Sequence, residues 1–451
     1  VNRAGGAAVA IEAGAGITPI KRVAAACLAG TTIEFYDFLI YGTAAALVFP
    51  TVFFPHLSHA MATTASMATF ATAFLSRPLG AAVFGHFGDR LGRKKTLVAT
   101  LLIMALSTVG VGLVPSAAAI GVAAPLMLIA LRLLQGFALG GEWAGSALLS
   151  AEYAPAARRG FYGMFTLLGA DTAAVLAFLT FLGVNCTIGE NSPAFMQWGW
   201  RLPFLISAAL IGIGLYMRLN IQETPVFAEE KARNVVPRAP LAEVLRLQRR
   251  EVVLAAGSVL GYFSFSFMAS SYLTTYAHTD LGYSRNVVLF VGMLAGFTGI
   301  VFVVLSATRS DRVGRRRMML VGWAACLPWS FVVIPLMDAG KPICYAVAIL
   351  GMRVVASIAY GPIAAFIPEL FVTRYRYSGS ALAVNIAGVV GGAVPPMIAG
   401  TLQESYGGWA IGVMLATFAL VSLVCTYLLP ETNGTTLLRS IRGAADDASV
   451  A

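Results

Sequence analysis

Glu34, Asp37, Phe38 and Tyr41 fall at i, i+3, i+4 and i+7, the spacing of one helical face. The residues around them are apolar over a length that spans a bilayer. An ionised side chain at that depth costs at least about 2.5–3.5 kcal/mol, so it faces water or a partner, not lipid. Arg77, Arg132, Glu142 and Arg353 stand in comparable surroundings, and Asp171 is a further acid of this kind. The chemistry these residue types offer is the carriage of protons and the binding of anions. A medium of low dielectric favours the neutral form of an acid, which makes Asp37, and Glu34 beside it, the candidate proton carriers. Guanidinium groups bind carboxylates in bidentate fashion, which makes Arg132, Arg77 and Arg353 the candidate anion clamps. Tyr41, Gln135 and Asn385 add hydrogen-bonding groups to the same set, with Tyr262 and Tyr272 as further donors. At a rise of about 1.5 Å per residue, Asp37 and Arg132 lie within about one helical turn of the same depth, so a pair between them is allowed.

Long apolar elements must position these groups. Hydrophobic residues make up 58% of the 451 positions and charged residues 12%, with mean hydropathy +0.79. A soluble domain carries about a quarter charged residues, so a soluble fold is excluded. Twelve stretches reach the length of about 20 residues that a membrane helix needs: 22–49, 64–87, 96–114, 122–150, 161–185, 201–221, 251–279, 286–307, 318–337, 343–368, 378–402 and 409–429. The net charge of +10 is not a nucleic-acid signal. Of the 31 Lys and Arg, 25 fall on one side of these stretches and three, Arg201, Arg285 and Lys341, on the other. That asymmetry predicts cytoplasmic N- and C-termini and makes anionic lipid a secondary partner. Cys27, Cys186, Cys326, Cys344 and Cys425 have no metal or disulfide spacing, and the His residues have no metal partners either. No phosphate-binding Gly-x-x-x-x-Gly-Lys-Ser/Thr loop is present, so ATP is not expected to drive the protein.

The sequence repeats at half-length. Asp89-Arg90-Leu91-Gly92-Arg93-Lys94-Lys95 returns 222 residues later as Asp311-Arg312-Val313-Gly314-Arg315-Arg316-Arg317. Glu152, followed by Arg158 and Arg159, has a counterpart in Glu369, followed by Arg374 and Arg376. Glu223-Thr224 matches Glu431-Thr432. The expected fold is all-α: twelve transmembrane helices in two pseudo-symmetric six-helix bundles. The expected divisions are a tail 1–21, a bundle 22–221, a polar connection 222–250, a bundle 251–429 and a tail 430–451. Pro328, Pro362, Gly391-Gly392 and Pro395-Pro396 mark expected bends.

Gly85-His86-Phe87-Gly88-Asp89-Arg90-Leu91-Gly92-Arg93-Lys94-Lys95 resembles the loop 2–3 signature of the major facilitator superfamily. Arg132-Leu133-Leu134-Gln135-Gly136 through Gly140-Gly141-Glu142 resembles its helix 4 signature. Thr32 to Phe38 with Tyr41-Gly42, Arg77-Pro78-Leu79-Gly80, and Trp198 to Phe204 resemble the metabolite:proton symporters, a branch with shikimate, ketoglutarate, citrate and proline/betaine carriers. The second loop copy departs from the first, with Ala307 where Gly85 stands. The resemblance implies a bacterial inner-membrane carrier that works by alternating access, with no cofactor or metal and as a monomer. It implies that Asp37 and Arg132 couple protonation to transport. It also implies that Asp89, Arg90, Gly92 and Arg93, with Asp311, Arg312 and Arg315, latch the cytoplasmic side. Glu152 with Arg158, and Glu369 with Arg374, are expected to extend that latch, and Glu142 to serve gating.

Proton-coupled uptake of a small organic acid or zwitterion is therefore the expected function, with no enzyme activity. A proton-antiport exporter of the same superfamily shares most of these motifs. A non-transporting membrane sensor and a membrane enzyme are the readings from other classes. An enzyme of lipids would need Asp-rich metal loops or a His/Asp dyad at a membrane face, and the sequence has neither.

Overall fold

In a bilayer a chain satisfies its backbone groups within each segment, so the apolar stretches have little choice but to be helices. The computed structural model describes residues 19–188, 192–223 and 240–434. Most of the expected tails and of the central connection lie outside the described residues, and with them Arg3, Lys231, Arg233, Arg238, Arg439 and Arg442. Among the described residues, twelve long helical elements run in order. The first six are α1 (Ile20–Leu47), α2 (His59–Leu91), α3 (Arg93–Leu113), α4 (Ala123–Tyr153), α5 (Arg159–Ile188) and α6 (Leu202–Leu219). The second six begin with α7, which runs through Arg249–Phe267, a π-helical turn Met268–Tyr272 and Leu273–Thr279. There follow α8 (Arg285–Val313), α9 (Arg315–Asp338) and α10, made of Pro342–Tyr360 and Ile363–Leu370. Next is α11, made of Arg376–Ala387, a π-helical turn Gly388–Ala393 and Val394–Tyr406, and last α12 (Gly408–Leu428). Among the described residues, eleven helical segments are long and apolar enough to cross a membrane. The expected stretch 64–87 falls inside α2, which packs among them.

Small residues let the helices approach closely, as membrane packing favours. A Cβ on Gly80 would collide with the Phe137 carbonyl, one on Gly136 with the Ala73 carbonyl, and one on Gly140 with the Arg77 carbonyl. That row locks α2 to α4. The two halves meet along two seams, α2 against α11 and α5 against α8. These seams are each other's image in the repeat, since 2 and 5 become 8 and 11 when six helices are added.

The expected breakers divide. Pro362 and Gly391-Gly392 do sit at interruptions, in α10 and α11. Pro328 lies with Pro335 inside an unbroken α9. The π-helical turn Met268–Tyr272 contains neither Gly nor Pro, so nothing in its composition marks it.

Candidate functional site

The central charges lie where α1, α2, α3 and α4 converge. Glu34 and Asp37 are each 2% exposed, Arg132 1% and Arg77 8%. Asp37 and Arg132 do not touch. Thr108 of α3 stands between them and donates to Asp37 Oδ2 at 2.7 Å. Gln135 Nε2 donates to the Thr108 hydroxyl at 2.7 Å, and Arg132 Nη1 donates to Gln135 Oε1 at 2.9 Å. The expected direct pair is thus a relay of three hydrogen bonds. The reason is direction: α1 and α4 pack on each other, but the Thr108 hydroxyl reaches in from α3 to take Asp37, and the Arg132 guanidinium lies over the Tyr41, Phe70 and Phe38 rings. The relay leaves Asp37 Oδ1 and the Nε and Nη2 atoms of Arg132 buried without a hydrogen-bond partner.

Aromatic rings hold the guanidinium groups in place of counter-ions. Arg132 lies 4.2 Å from the Tyr41 ring centre, 4.8 Å from that of Phe70 and 5.0 Å from that of Phe38. Arg77 lies 5.6 Å from the same Phe38 ring and 5.2 Å from Phe74. A desolvated cation over a ring gains about 2 kcal/mol, and the acids Glu34 and Asp37 act on these cations through space without a contact ion pair. The Tyr41 hydroxyl is shared with Thr69 at 2.8 Å, and its ring lies under the Arg132 guanidinium. Glu34 Oε2 is buried without a hydrogen-bond partner and stands in the field of Arg77 and Glu142. Phe267, the last residue before the π-helical turn of α7, meets Phe38 at 6.0 Å and Phe74 at 5.7 Å. This contact closes the cluster with a residue from the other half.

Three expected site residues are engaged elsewhere. Glu142 pairs with Arg218 of α6 and accepts from Thr100 at 2.8 Å, all within the first half. Arg218, near the end of α6, is buried, and Gly30 leaves room for it. Asn385 spends its amide on the Gly140 and Ala381 carbonyls, both at 2.8 Å, so it ties α11 to α4. Arg353 of α10 forms an ion pair with Asp171 of α5 across the seam.

The basic ends of the seams carry two matching latches. Asp89, at the end of α2, accepts from the amides of Tyr377 at 3.1 Å and Ser378 at 3.0 Å, and from the Ser378 hydroxyl at 2.9 Å. These amides open α11, where unpaired N–H groups and the helix dipole favour an anion. Asp311, near the end of α8, accepts from Gly160 at 2.8 Å and Phe161 at 2.9 Å, the amides that open α5. Behind each aspartate lies a buried Arg–Glu–Arg group. Glu152 takes Arg93 at 3.2 Å and Arg376 at 3.6 Å. Glu369 takes Arg315 at 2.8 Å and Arg159 at 3.4 Å. The partners are therefore Arg376 and Arg159, each crossing a seam, and not Arg158 and Arg374. Arg158 is exposed, and Arg374 pairs with Glu243 at 2.9 Å. Arg90 and Arg312 are exposed as well; Arg90 meets His86 at 3.3 Å. Gly92 and Gly314 turn the chain with φ of 107° and 109°, a region that glycine adopts without strain.

Ala307, the departure in the second loop copy, has a steric explanation. In the first seam the small residues are on α2: Gly88 faces the Tyr377 ring and Gly85 faces Ser378. In the second seam the small residue is Gly160 on α5, packed on Ala307, Ser310 and Asp311. The void has moved from one partner to the other.

Repeated latches, two seams and a buried charged centre between them find a match outside this chain. The family model of the Major Facilitator Superfamily matches residues 35–396. The chain belongs to that superfamily. Within it, this carrier is 42% identical over 425 residues to the inner membrane metabolite transport protein YhjE of Escherichia coli, covering 92% of this chain and 96% of that one. It is 34% identical to the shikimate transporter of Escherichia coli, covering 92% and 95%. In fold it is similar to the proton:xylose symporter XylE, with a TM-score of 0.76, 19% identity, and coverage of 94% of this chain and 98% of that one. The chain is a multi-pass membrane transporter of metabolites.

Sequence reasoning reached Asp37, Arg132, Gln135, Asp89 and Asp311, and passed over Thr108, Arg218, Arg376, Tyr377 and Ser378. Thr108 is uncharged and outside every motif. Tyr377 and Ser378 act mainly through backbone amides, for which any sequence would serve.

Proposed function

We propose that this carrier takes up a small metabolite bearing a carboxylate together with a proton, with the basic face and both termini in the cytoplasm. The observation that carries the reading is the central relay: two arginines on one phenylalanine ring, with Asp37 and Glu34 near them and no ion pair made among the four. With both acids ionised the group is neutral. Protonation of Asp37 gives it one net positive charge in a low-dielectric site, and a carboxylate restores neutrality at the open edge of Arg132. Proton and anion therefore favour each other's binding, which is the requirement for symport. The bound pair is neutral overall, and a neutral centre is the form that crosses the occluded state at least electrostatic cost. The likeness to the shikimate transporter supports a carboxylate substrate. An exporter that exchanges its substrate for a proton needs the opposite linkage, in which protonation expels the substrate.

The test is proton movement into proteoliposomes on addition of shikimate, 2-oxoglutarate, citrate, proline or betaine. Wild-type protein should alkalinise the outside with one of them, and Asp37→Asn should bind that compound without moving protons. Substrate flux with no proton trace in the wild type would end the symport reading.

A further inference from the structure

We propose that Arg353 is the carboxylate-docking residue of the second half and that Asp171 is its place-holder, the group that a substrate carboxylate displaces. The inference rests on the carrier reading above and adds a second anion subsite to it.

Arg132 stands 20 residues before Glu152, and Arg353 stands 16 residues before its counterpart Glu369. Arg353 thus lies about one helical turn from the position that matches Arg132, on the equivalent helix of the other bundle. Its depth is central. Asp171 lies about 18 Å along α5 and Arg353 about 17 Å along α10 from opposite ends, in a hydrocarbon core of about 30 Å. A bond at that level shuts neither mouth of the carrier, which separates it from the latches at the basic ends. It lies instead where carriers built from repeats hold their cargo.

The bonding pattern is that of an exchangeable partner. The other contacts of Arg353 are neutral: Ser266 Oγ at 3.1 Å and the Tyr262 hydroxyl at 3.4 Å, both on α7. Among the described residues, its only anion comes from the opposite half. Glu142 and Arg218, which brace one bundle, are by contrast in the same half and share further bonds with Thr100 and the Leu97 carbonyl. Asp171 is supported on one side alone, and its Oδ2 is buried without a hydrogen-bond partner. Gly299 of α8 leaves the space in which the two side chains meet, since a Cβ there would press on both. Beside the guanidinium, the Tyr262 ring stacks on Tyr360 at 3.5 Å with an interplanar angle of 1°, which fixes the ring whose hydroxyl Arg353 meets. An incoming carboxylate takes the same edge of Arg353 that Asp171 holds. Charge on the arginine stays balanced, and Asp171 turns to the water of the opened vestibule.

The experiment uses the purified full chain, with thermal-shift titration of shikimate, 2-oxoglutarate, citrate, proline and betaine, and transport in vesicles. Asp171→Asn removes the competitor at constant volume. It should lower the half-saturating concentration about tenfold and reduce kcat and KM together, because release becomes slow. Arg353→Lys keeps the charge and loses the fork; it should raise half-saturation about tenfold, and it answers the same question if Asp171→Asn does not fold. Lower melting temperatures with half-saturation unchanged in both variants would show a plain strut and overturn the inference alone. Absence of binding by the wild type to every compound would overturn the carboxylate reading along with it.

Discussion

Thr108 is the joint of the central relay, and its hydroxyl does two jobs at once. It donates to Asp37 and accepts from Gln135. Thr108→Val keeps the shape and leaves both neighbours buried and unsatisfied, a loss of about 1–3 kcal/mol each. Coupled uptake should fall at least about tenfold, while Thr108→Ser should stay near wild type; equal loss in both would mean that the methyl group matters and the relay does not. Glu142 makes a different prediction. Removing it strands the buried Arg218, so Glu142→Ala should destabilise the protein by about 3–5 kcal/mol, read as a lower melting temperature in detergent. A gating residue would instead change transport at constant melting temperature. At this scale the sequence showed which residues are costly to bury, because charge in an apolar stretch is conspicuous. It did not show their partners. Glu152 and Glu369 take Arg376 and Arg159 from the opposite half. Nearness in the chain instead favoured Arg158, which is exposed, and Arg374, which pairs with Glu243.

Among elements, the ends of α3 and α9 show how the repeat is built into local structure. Glu223 accepts from the Arg93 amide at 3.0 Å, and Glu431 from the Arg315 amide at 2.9 Å. Each glutamate follows the last helix of its half and returns to cap the third, satisfying N–H groups that the helix leaves open. The matching of Glu223 with Glu431 was readable because both the residue type and its place after the sixth span recur. The seam contacts were not readable, because a glycine on either partner makes the same void. Gly160 gives the test. A side chain there would press on the Ala307 carbonyl, Ser310 and Asp311, so Gly160→Val should keep α5 and α8 apart. A cysteine introduced on the basic face of that seam should then react with a polar maleimide markedly faster than in the wild type. Unchanged protection would mean that the seam relaxes around the new side chain.

For the whole molecule, alternating access by the proposed rocking of the two halves requires both latches to open together, because each ties one half to the other. Each aspartate contributes charge-assisted hydrogen bonds to a helix start, worth about 1.5–3 kcal/mol apiece, and an asparagine keeps part of that. A loss of about 2–3 kcal/mol per latch is the reasonable magnitude. Moving a two-state equilibrium from 1:99 to 99:1 takes about 5.5 kcal/mol. Asp89→Asn or Asp311→Asn alone should therefore give a mixture of closed and open basic faces, and the two together should give a largely open one. Spin-label distances between the basic ends of α2 and α11, measured in nanodiscs, resolve the populations. The symmetry of the contacts requires the two single variants to shift the equilibrium in the same direction. Asp89 should shift it further, because it accepts a third hydrogen bond, from the Ser378 hydroxyl at 2.9 Å, beyond the two amides that each aspartate takes. A double variant no more open than either single one would mean that the latches do not act on one common rocking motion, and alternating access in this chain would need a different hinge.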